Sequence, residues 1–397
     1  MIKDFCVNKL NGKEIIIYGA GKHGEIIANG LISSGINNFQ FCDNRKSGSE
    51  LLGKKIISHS DIEKRPKANI ILGTGKNMYD IYSLLLQSDI EQDSIFTGKE
   101  LFYLGQRDFN KNHSYVDIPK HYEYYVDVAK FFAKIESKLF LEHLDIVITE
   151  RCSLRCEGCG SLMPLYCRPQ NMQKDVIFSS LDRLFSEGCY VGMVDIIGGE
   201  PLLNQELLSE ILISYGENSH IGAFQMITNG TIVPSQKTID VIKNTKKMYI
   251  IFSNYGELSF KQKQAVELFN DNGIETIVES EIDINEDNNT LWIDYGEVKQ
   301  YNHTTEKITK MFINCRDAKS CTTLLGNKIY ICPRIAHMDN LNLIPDDKTN
   351  YVDIMDKEFN NEVIEKFYNN KKYPKGCEYC DRDSGKMVER AKQIDKK

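Results

Sequence analysis

Three cysteines, Cys152, Cys156 and Cys159, stand close together directly after the apolar stretch LDIVITE (144–150). The stretch is rich in β-branched residues, so it predicts a strand that runs straight into the cysteine-bearing loop. Thiolates with three and two residues between them can converge from one loop on one face of an iron–sulfur cubane. A structural zinc ion normally has four protein ligands in paired form, and the local set here is three. Three ligands on a four-iron cluster leave one iron open to a small molecule.

A second stretch, VDIIGGEPLLN (194–204), predicts a strand that ends in two glycines and a glutamate. Glycines at a strand end let a ligand approach the backbone, and the Glu200 carboxylate can accept hydrogen bonds from an ammonium group. QMITNG (225–230) and MYIIFSNYG (248–256) predict two more strands with polar ends, and helical stretches separate all of them. Such repeated units predict a parallel (β/α) barrel or part of one.

Together the segments CSLRCEGC and GGEPLL resemble the radical SAM superfamily. The resemblance implies a [4Fe–4S] cluster on Cys152, Cys156 and Cys159, with the amine and carboxylate of S-adenosylmethionine (SAM) at its fourth site. It also implies that reductive cleavage of SAM yields a 5′-deoxyadenosyl radical, which abstracts a substrate hydrogen, and that an electron donor such as flavodoxin or ferredoxin supplies the electron. The family positions that contact SAM correspond here to Gly198, Gly199, Glu200, Thr228, Asn229 and Ser253.

The loop departs from the family pattern at one position. The residue before the third cysteine is usually aromatic and lies near the adenine, but here it is Gly158. We therefore expect the adenine to pack elsewhere, with Leu162 and Met163 as candidates. A protein that only carries a cluster, without catalysis, is the alternative to an enzyme. Such a protein would need neither the GGEP segment nor the polar strand ends, so their presence favours an enzyme.

Four cysteines near the carboxyl terminus form a second group. Cys315 and Cys332 flank a predicted hairpin that turns at Gly326-Asn327, and Cys377-Glu-Tyr-Cys380 adds a closely spaced pair. Four thiolates can close a tetrahedral or a cubane site, so zinc and iron–sulfur ligation both stay open. The group resembles the SPASM/twitch extensions, which implies one auxiliary [4Fe–4S] cluster. Cys321 is a rival to Cys315 as a ligand.

The amino-terminal region predicts a strand at KEIIIY (13–18), a glycine turn at GAGKHG (19–24), a helix after this turn, and a second strand at FQFCDN (39–44). A further strand is predicted at ANIILGTG (68–75). This pattern is typical of the first part of a doubly wound α/β unit. The glycines could cradle a nucleotide, or they could serve only a tight turn and close packing. The region resembles the sugar-nucleotide-binding domain of bacterial sugar-modifying acyltransferases. The candidate nucleotide-binding residues are Gly19, Gly21, Gly24 and Asp43.

The predicted fold class is α/β: a partial (β/α) radical SAM barrel with an N-terminal Rossmann-like domain and a small C-terminal twitch-type cluster domain. The predicted boundaries are 1–105 for the Rossmann-like domain, 106–143 for a connecting helix, 144–308 for the barrel and 309–397 for the auxiliary cluster domain. The 397-residue chain carries a net charge of −7 and no long apolar run. We therefore expect a cytoplasmic protein without a nucleic-acid or membrane partner. The remaining cysteines are expected to be structural; they are Cys6, Cys42, Cys167, Cys189 and Cys321.

Two substrate classes compete. A sugar, cyclitol or nucleotide sugar, oxidised or epimerised at a carbinol carbon, is favoured by the single auxiliary site and the sugar-nucleotide-like domain. A peptide or protein is the alternative, but SPASM-type maturases usually carry a winged-helix module that residues 1–105 lack. Carbinol oxidation needs a base for the hydroxyl proton. The catalytic candidates are Asp195, Tyr166 and Arg334; further substrate-facing candidates are Arg168, Asn254, Tyr255, Asp294, Tyr295 and His337.

Overall fold

The computed structural model divides the chain into two compact units, Met1–Glu136 and Ser137–Lys397. Each unit has its own hydrophobic core. The residues that the structure describes are 2–6, 12–75, 78–109, 118–135, 139–279, 291–370 and 372–395.

The first unit is built on a seven-stranded sheet in the order β1-β7-β6-β2-β3-β5-β4. All pairs are parallel except β4 with β5. The central strand is a run of buried isoleucines, as expected for a parallel strand that is covered on both faces. The strands are β1 (Lys3–Asp4), β2 (Ile15–Tyr18), β3 (Gln40–Cys42), β4 (Glu50–Leu51), β5 (Lys54–Ile57), β6 (Asn69–Leu72) and β7 (Ile95–Thr97).

Five helices accompany this sheet: α1 (Lys22–Ser33), α2 (His59–Ile62), α3 (Met78–Leu86), α4 (Lys99–Phe109) and α5 (Ile118–Phe132). Helix α5 falls in the stretch interpreted above as a connection between domains. Its residues Tyr122, Val126 and Ala129 belong to the core of the first unit. The Tyr122 hydroxyl donates to the carbonyl of Leu72 (2.7 Å) and accepts from the amide of Gly98 (2.8 Å). The helix is therefore part of the first unit's core and does not serve only as a connector.

The second unit holds an eight-stranded sheet in the order β12-β11-β10-β9-β8-β14-β15-β16. Strands β8 to β12 and the β8–β14 pair are parallel, and β14, β15 and β16 continue as antiparallel strands. The sheet is open, which confirms the prediction of a partial barrel. Its strands are β8 (Phe140–Val147), β9 (Tyr190–Ile197), β10 (Ile221–Thr228), β11 (Met248–Ser253), β12 (Thr276–Glu279), β14 (Thr323–Leu325), β15 (Lys328–Tyr330) and β16 (Tyr351–Asp353).

The sheet has one apolar face and one partly polar face, because side chains alternate along a strand. Leu144, Val194, Phe224 and Phe252 pack against the helices in one core cluster. The helices of this unit are α6 (Lys174–Ser186), α7 (Gln205–Tyr215), α8 (Gln236–Lys243), α9 (Gln262–Asp271), α10 (Thr305–Ile313), α11 (Asp317–Ser320), α12 (Pro333–Asn340) and α13 (Asn361–Tyr368).

Two details correct or confirm the element boundaries predicted above. Strand β8 begins at Phe140, before the predicted start at Leu144, because its first residues pair with β9. The predicted hairpin between Cys315 and Cys332 is present as β14 and β15, with Gly326 at φ +64° in the turn. A separate antiparallel ribbon joins β13 (Leu291–Ile293) to β17 (Met387–Glu389). None of the described helices is long and apolar enough to cross a membrane.

Candidate active site

The loop after β8 brings its three cysteines into one small cluster. Cys152 and Cys159 pack against Cys156 and Leu154, and Ala391 from the end of the chain completes the group. The Cys152 sulfur accepts from the amide of Leu154 at 3.5 Å. The structure thus assembles the three residues that the spacing singled out.

The surroundings of these three thiols raise their pKa. Burial raises the pKa of Cys152 to about 12 and that of Cys156 to about 11, and the neighbouring thiolates push in the same direction. Burial also raises the pKa of Cys159, although the backbone amides of 161–163 oppose the rise. Metal ligands must be deprotonated, and a bound cluster would compensate the buried negative charge. Among the described residues no group of three or more His, Cys, Asp or Glu side chains is placed so that it could hold one metal ion, and ligation of a cluster by these thiols stays a prediction.

Gly198 and Gly199 are required because the cysteine loop lies against them. A Cβ on Gly198 would overlap the Thr149 carbonyl oxygen, and one on Gly199 would overlap that of Arg151 and lie 2.7 Å from Cys152 Cβ. The amides of Gly199 and Glu200 donate to those same two carbonyls, at 2.9 and 2.8 Å. The close neighbour of these glycines in the structure is the cysteine loop itself, and the predicted approach of a ligand to them stays a prediction.

The Glu200 side chain holds strand ends together. Its Oε1 accepts from Thr228 Oγ1 (2.8 Å) and from the amide of Leu202 (3.1 Å), and its Oε2 accepts from the amide of Asn229 (2.8 Å). The residue is fully buried, and burial raises the pKa of its carboxyl while these hydrogen bonds oppose the rise. The Glu200 carboxylate, predicted to accept from an ammonium group, therefore already accepts three hydrogen bonds within the protein.

Asn229 links the end of β10 to the cysteine loop. Its Nδ2 donates to Ser153 Oγ at 3.0 Å and lies 3.8 Å from the Cys152 sulfur. Its Oδ1 accepts from both the amide and the hydroxyl of Thr231. Ser253, at the end of β11, is buried, and its carbonyl accepts from Ser259 Oγ at 3.3 Å. All the predicted cofactor-contacting residues lie at strand ends beside the loop, and their contacts with SAM stay a prediction.

Gly158 is covered by the ribbon of β13 and β17. A Cβ at this position would lie 2.6 Å from Val388 and 3.5 Å from the indole of Trp292, which itself packs edge-on against Tyr255 at 5.7 Å. The two candidates for adenine packing are buried elsewhere: Leu162 joins the core cluster that contains Val147 and Ile335, and Met163 is 7% exposed. The ribbon therefore occupies the space that an aromatic side chain at 158 would fill.

The four predicted carboxyl-terminal ligands line one cavity; they are Cys315, Cys332, Cys377 and Cys380. Cys321, the rival to Cys315, does not line it. Burial raises the pKa of Cys332, Cys377 and Cys380, and adjacent thiolates add to this effect. Two guanidinium groups, from Arg334 and Arg382, line the same cavity, and their positive charge would suit an anionic metal–thiolate centre; ligation by the four thiols stays a prediction.

Arg334 lies close to both cysteine groups. Its charge opposes the burial-driven rise in the pKa of Cys159 and of Cys380. The guanidinium donates to the Gly296 carbonyl (2.7 Å) and stacks over the Tyr295 ring (5.1 Å). Arg334 is 6% exposed, so it is a buried cation between the two sites. This position supports its selection as a candidate, in an electrostatic role.

Tyr166 and His337 form a buried pair. The Tyr166 hydroxyl lies 2.7 Å from His337 Nδ1 and accepts from Asn340 Nδ2 at 2.9 Å. Asn340 also donates to Glu150 Oε1 at 2.8 Å. Burial lowers the pKa of His337 to about 3, so the ring is neutral and helps to connect the loop after Cys159 with helix α12.

Asp195 points to the face of the sheet opposite the helices. Its Oδ2 lies 3.2 Å from His143 Nδ1 on the neighbouring strand, and both residues are buried. Asp145 and Gln225 pair in register with Asp195 from either side and are buried too. The inner face of the partial barrel therefore carries a band of polar groups.

The other substrate-facing candidates have structural partners or are exposed. Arg168 is exposed. Asn254 and Asp294 each accept from a backbone amide two residues on, at Gly256 and Gly296. Tyr295 lines the four-cysteine cavity, and its hydroxyl donates to Asp317 at 2.7 Å.

In the first unit, the glycine turn after β2 is packed tightly. A Cβ on Gly24 would overlap the Gly19 carbonyl oxygen, and Gly19 has φ +116°. Asp43 accepts from the amides of Ala20 (3.1 Å) and Arg45 (2.9 Å). These contacts account for the glycines and the aspartate structurally, and Gly21 lies at the open amino terminus of α1.

Several residues of this site were not predicted from the sequence: Ser153, Thr231, Trp292, Asn340, Arg382 and Gln393. Gln393 stands 237 positions from Cys156, whose sulfur it contacts. No spacing rule joins residues so far apart, and only the folded chain reveals them.

Comparison with known proteins gives one sequence match and several structural ones. No family model matches the chain. It is 29% identical over 140 residues to GTP 3′,8-cyclase of Clostridium acetobutylicum, covering 35% of this chain, and it spans about two fifths (42%) of that relative's length.

Similar solved structures include SuiB of Streptococcus suis bound to S-adenosylmethionine (18% identity, TM-score 0.29, 50% of this chain and 48% of that one). Others are anSMEcpe with bound AdoMet (16%, 0.38, 61% and 82%) and BtrN in complex with AdoMet and 2-DOIA (13%, 0.39, 64% and 97%).

In the described structure a three-cysteine loop lies against the ends of parallel strands in an open sheet. The assembled CSLRCEGC loop and the GGEPLL strand end agree with the resemblance to the radical SAM superfamily, and the sequence match is to an enzyme of that superfamily. The cofactors of this class are a [4Fe–4S] cluster and S-adenosylmethionine, with an auxiliary cluster in SPASM members.

Proposed function

We propose that this enzyme oxidises or epimerises a sugar, cyclitol or nucleotide sugar in polysaccharide or natural-product biosynthesis. In this proposal Cys152, Cys156 and Cys159 hold the SAM-cleaving cluster. The auxiliary cluster is held by Cys315, Cys332, Cys377 and Cys380. When bound, these cofactors supply a 5′-deoxyadenosyl radical that removes a hydrogen atom from a C–H bond and a second centre that accepts an electron.

The observation that carries the proposal is the polar inner face of the barrel. His143, Asp145, Asp195 and Gln225 are buried there, and none of them belongs to the core cluster that packs against the helices. Buried polar groups of this kind favour a ligand with several hydroxyl groups, since each hydroxyl can both donate and accept. The curated relative is named for a nucleotide substrate, GTP, which supports a small molecule over a peptide.

The Asp195–His143 pair is the candidate base. Oxidation of a carbinol releases the hydroxyl proton, and a carboxylate hydrogen-bonded to an imidazole 3.2 Å away can accept it. Epimerisation would instead need a donor that returns a hydrogen atom to the opposite face of the carbon. The exposed Cys167, which follows Tyr166, is the thiol to test for that role.

The first unit extends the proposal to nucleotide sugars. Its strand order reverses at β2, between β3 and β6, and ligands of doubly wound sheets bind outside the strand ends at such a point. Gly19, Gly21, Gly24 and Asp43 lie there. We infer that this crevice of the first unit binds a nucleotide.

The test compares substrate classes on the anaerobically reconstituted, reduced enzyme. Nucleotide sugars, free sugars with cyclitols, and short peptides are each added with SAM, and 5′-deoxyadenosine is measured. Stimulation by a sugar-type compound, with deuterium transfer from its labelled carbinol carbon, supports the proposal. Stimulation by peptides alone would overturn it.

Variants of the polar face complete the test. Asp195→Asn should reduce substrate-dependent turnover by about 10²–10⁴-fold, the usual contribution of a general base, and leave substrate-free SAM cleavage intact. Asp271→Asn, at an exposed site at the end of α9, is the matched control and should behave as the parent enzyme.

A further inference from the structure

The last described segment of the chain, Arg390–Ile394, lies along the cysteine loop. The amide of Glu157 donates to the Lys392 carbonyl at 2.8 Å, and the amide of Ile394 donates to the Arg155 carbonyl at 2.9 Å. Cys156 and Gln393 form an antiparallel bridge between these two bonds. The segment is therefore paired to the loop by its backbone, and we call Ala391–Ile394 the terminal cap.

The Gln393 amide group is the chemical centre of this cap. Its Oε1 accepts from the amide of Arg155 at 2.8 Å, and its Nε2 lies 3.3 Å from the Cys156 sulfur. The same Nε2 donates to the Ala391 carbonyl at 2.6 Å. One side chain therefore fixes the backbone before Cys156 and offers an N–H to its sulfur.

The cap also removes the loop from solvent. Ala391 is 1% exposed, and Leu154 and Cys156 beneath it are 9% and 8% exposed. The Arg390 guanidinium lies over the Tyr255 ring at 5.3 Å, beside the contact of Tyr255 with Trp292. The outer side of the Cys156 position is therefore covered by residues that come from the other end of the unit's sequence.

We propose that the terminal cap sets the reduction potential and the oxygen sensitivity of the cluster on this loop, through the N–H···S hydrogen bond from Gln393 to Cys156. This inference rests on the proposed ligation of the cluster by Cys156. Hydrogen bonds to ligand sulfurs and exclusion of solvent are two of the factors that tune iron–sulfur potentials. An N–H donor stabilises the more electron-rich reduced cluster, so it raises the potential. Gln393 is thus a positioning and tuning residue.

The experiment uses full-length, anaerobically reconstituted protein. Gln393→Met keeps the side-chain length and neutrality but removes the donor. At one fixed applied potential, we expect the ratio of reduced to oxidised cluster to be about tenfold lower in the variant than in the wild type. This corresponds to a reduction potential lower by about 59 mV for a one-electron couple. EPR-monitored redox titration measures this, on the signal that changes when SAM is added, because only a cluster with an open iron responds. Loss of iron–sulfide absorbance in air should be faster in the variant.

Lys392→Ala is the matched control in the same segment. It removes the ion pair with Glu157 (2.6 Å), whose partners are about half exposed, and leaves the backbone pairing in place. The potential of this variant should equal that of the wild type. If Gln393→Met fails to take up iron, Gln393→Asn keeps an amide but withdraws it by one methylene, and its potential decides the question in the same way.

The outcomes separate the two proposals. A wild-type protein with no SAM-responsive cluster overturns the proposed function. A wild-type protein that cleaves SAM, together with Gln393 variants of unchanged potential and unchanged stability in air, overturns only the role of the terminal cap.

Discussion

The two cysteine sites of the second unit are assembled in different ways. Cys152, Cys156 and Cys159 come from one loop that follows a single strand. The four-cysteine cavity draws on three separate segments: the end of α10, the end of the β14–β15 hairpin, and the turn that holds the last pair. A site made by one loop depends on local geometry, whereas a site made by three segments depends on the packing of the whole unit.

Each site is therefore vulnerable at a different place. The loop is held by close backbone contacts with Gly198 and Gly199 and by the terminal cap. The cavity is closed by apolar packing of Met311, Phe312 and Ile335 and by the buried guanidinium groups of Arg334 and Arg382. Replacing a residue at one site should therefore leave the other largely intact, and the predictions below test that independence.

The largest effect is expected for Cys152→Ala. With two ligands left, the loop should lose its cluster, and SAM cleavage should fall to background because the open iron is gone. The iron content should fall by half, since the four-cysteine cavity is untouched. Iron and sulfide analysis and 5′-deoxyadenosine measurement check this result. Complete loss of iron would show that the two sites do not assemble independently.

Cys332→Ala tests the other side of the comparison. Cys332 lines the cavity, so its loss should again remove half of the iron while SAM cleavage without substrate persists. Cys321→Ala is the matched control, because Cys321 lies outside the cavity lining and its variant should keep the full iron content. Zinc in place of iron at this site would contradict the auxiliary cluster, and metal analysis of the Cys152→Ala protein detects it directly.

The two sites also differ in how far the sequence could predict them. The three-cysteine loop and the GGE segment are short, contiguous patterns, so their spacing specified both the residues and the strand ends that present them. The packing role of Gly198 and Gly199 could not be seen in the sequence, because a strand-end glycine looks the same whether a ligand or a neighbouring loop approaches it; their contact with SAM stays a prediction. Only the contacts with Thr149 and Arg151 decide between these.

Contacts between distant segments could not be predicted at all. Arg334 was selected as a possible base, yet its influence on both Cys159 and Cys380 depends on how α12 packs between the two sites. The ribbon that places Trp292 over Gly158 joins strands at 291–293 and 387–389, and neither carries a recognisable signal. Helix α5 was interpreted as a connector because periodicity shows an apolar face but does not identify the surface that it covers.

Gly199→Ala should show that the loop depends on local geometry. The added methyl group would overlap the Arg151 carbonyl and crowd Cys152 Cβ at 2.7 Å, so the loop must shift. We expect a loss of about 1–3 kcal/mol in stability, typical of overpacking, and a selective loss of SAM affinity and SAM-cleaving cluster. Denaturant unfolding and iron analysis measure both. Gly21→Ala is the control: its Cβ meets no atom within 4 Å, and neither property of the second unit should change.

The smallest effect is expected on the pH dependence of the free energy of unfolding, for a change in the Tyr166–His337 pair. We call this pair the link, because it connects the loop after Cys159 with helix α12. Burial holds the pKa of His337 at about 3, against about 6.5 in the unfolded chain, so the unfolded state takes up a proton first as the pH falls. The contribution of His337 to the free energy of unfolding therefore declines as the pH falls from about 6.5 to about 3. The decline between pH 7 and pH 5.5 amounts to about 1 kcal/mol. His337→Gln should remove that part of the pH dependence.

The single tryptophan, Trp292, reports unfolding of the second unit by fluorescence, so urea titrations of the apoprotein at the two pH values measure the difference between variant and wild type. His303→Gln serves as the control, because His303 lies 2.9 Å from Asp381 and its pairing does not involve the link. Equal pH dependence in the His337 variant and the wild type would mean that the ring is hydrated or charged in the folded protein. If the free energy of unfolding falls more steeply with decreasing pH in the wild type than in the variant, His337 is a neutral buried histidine in the folded protein. It then connects the site built by one loop with the site built by three segments.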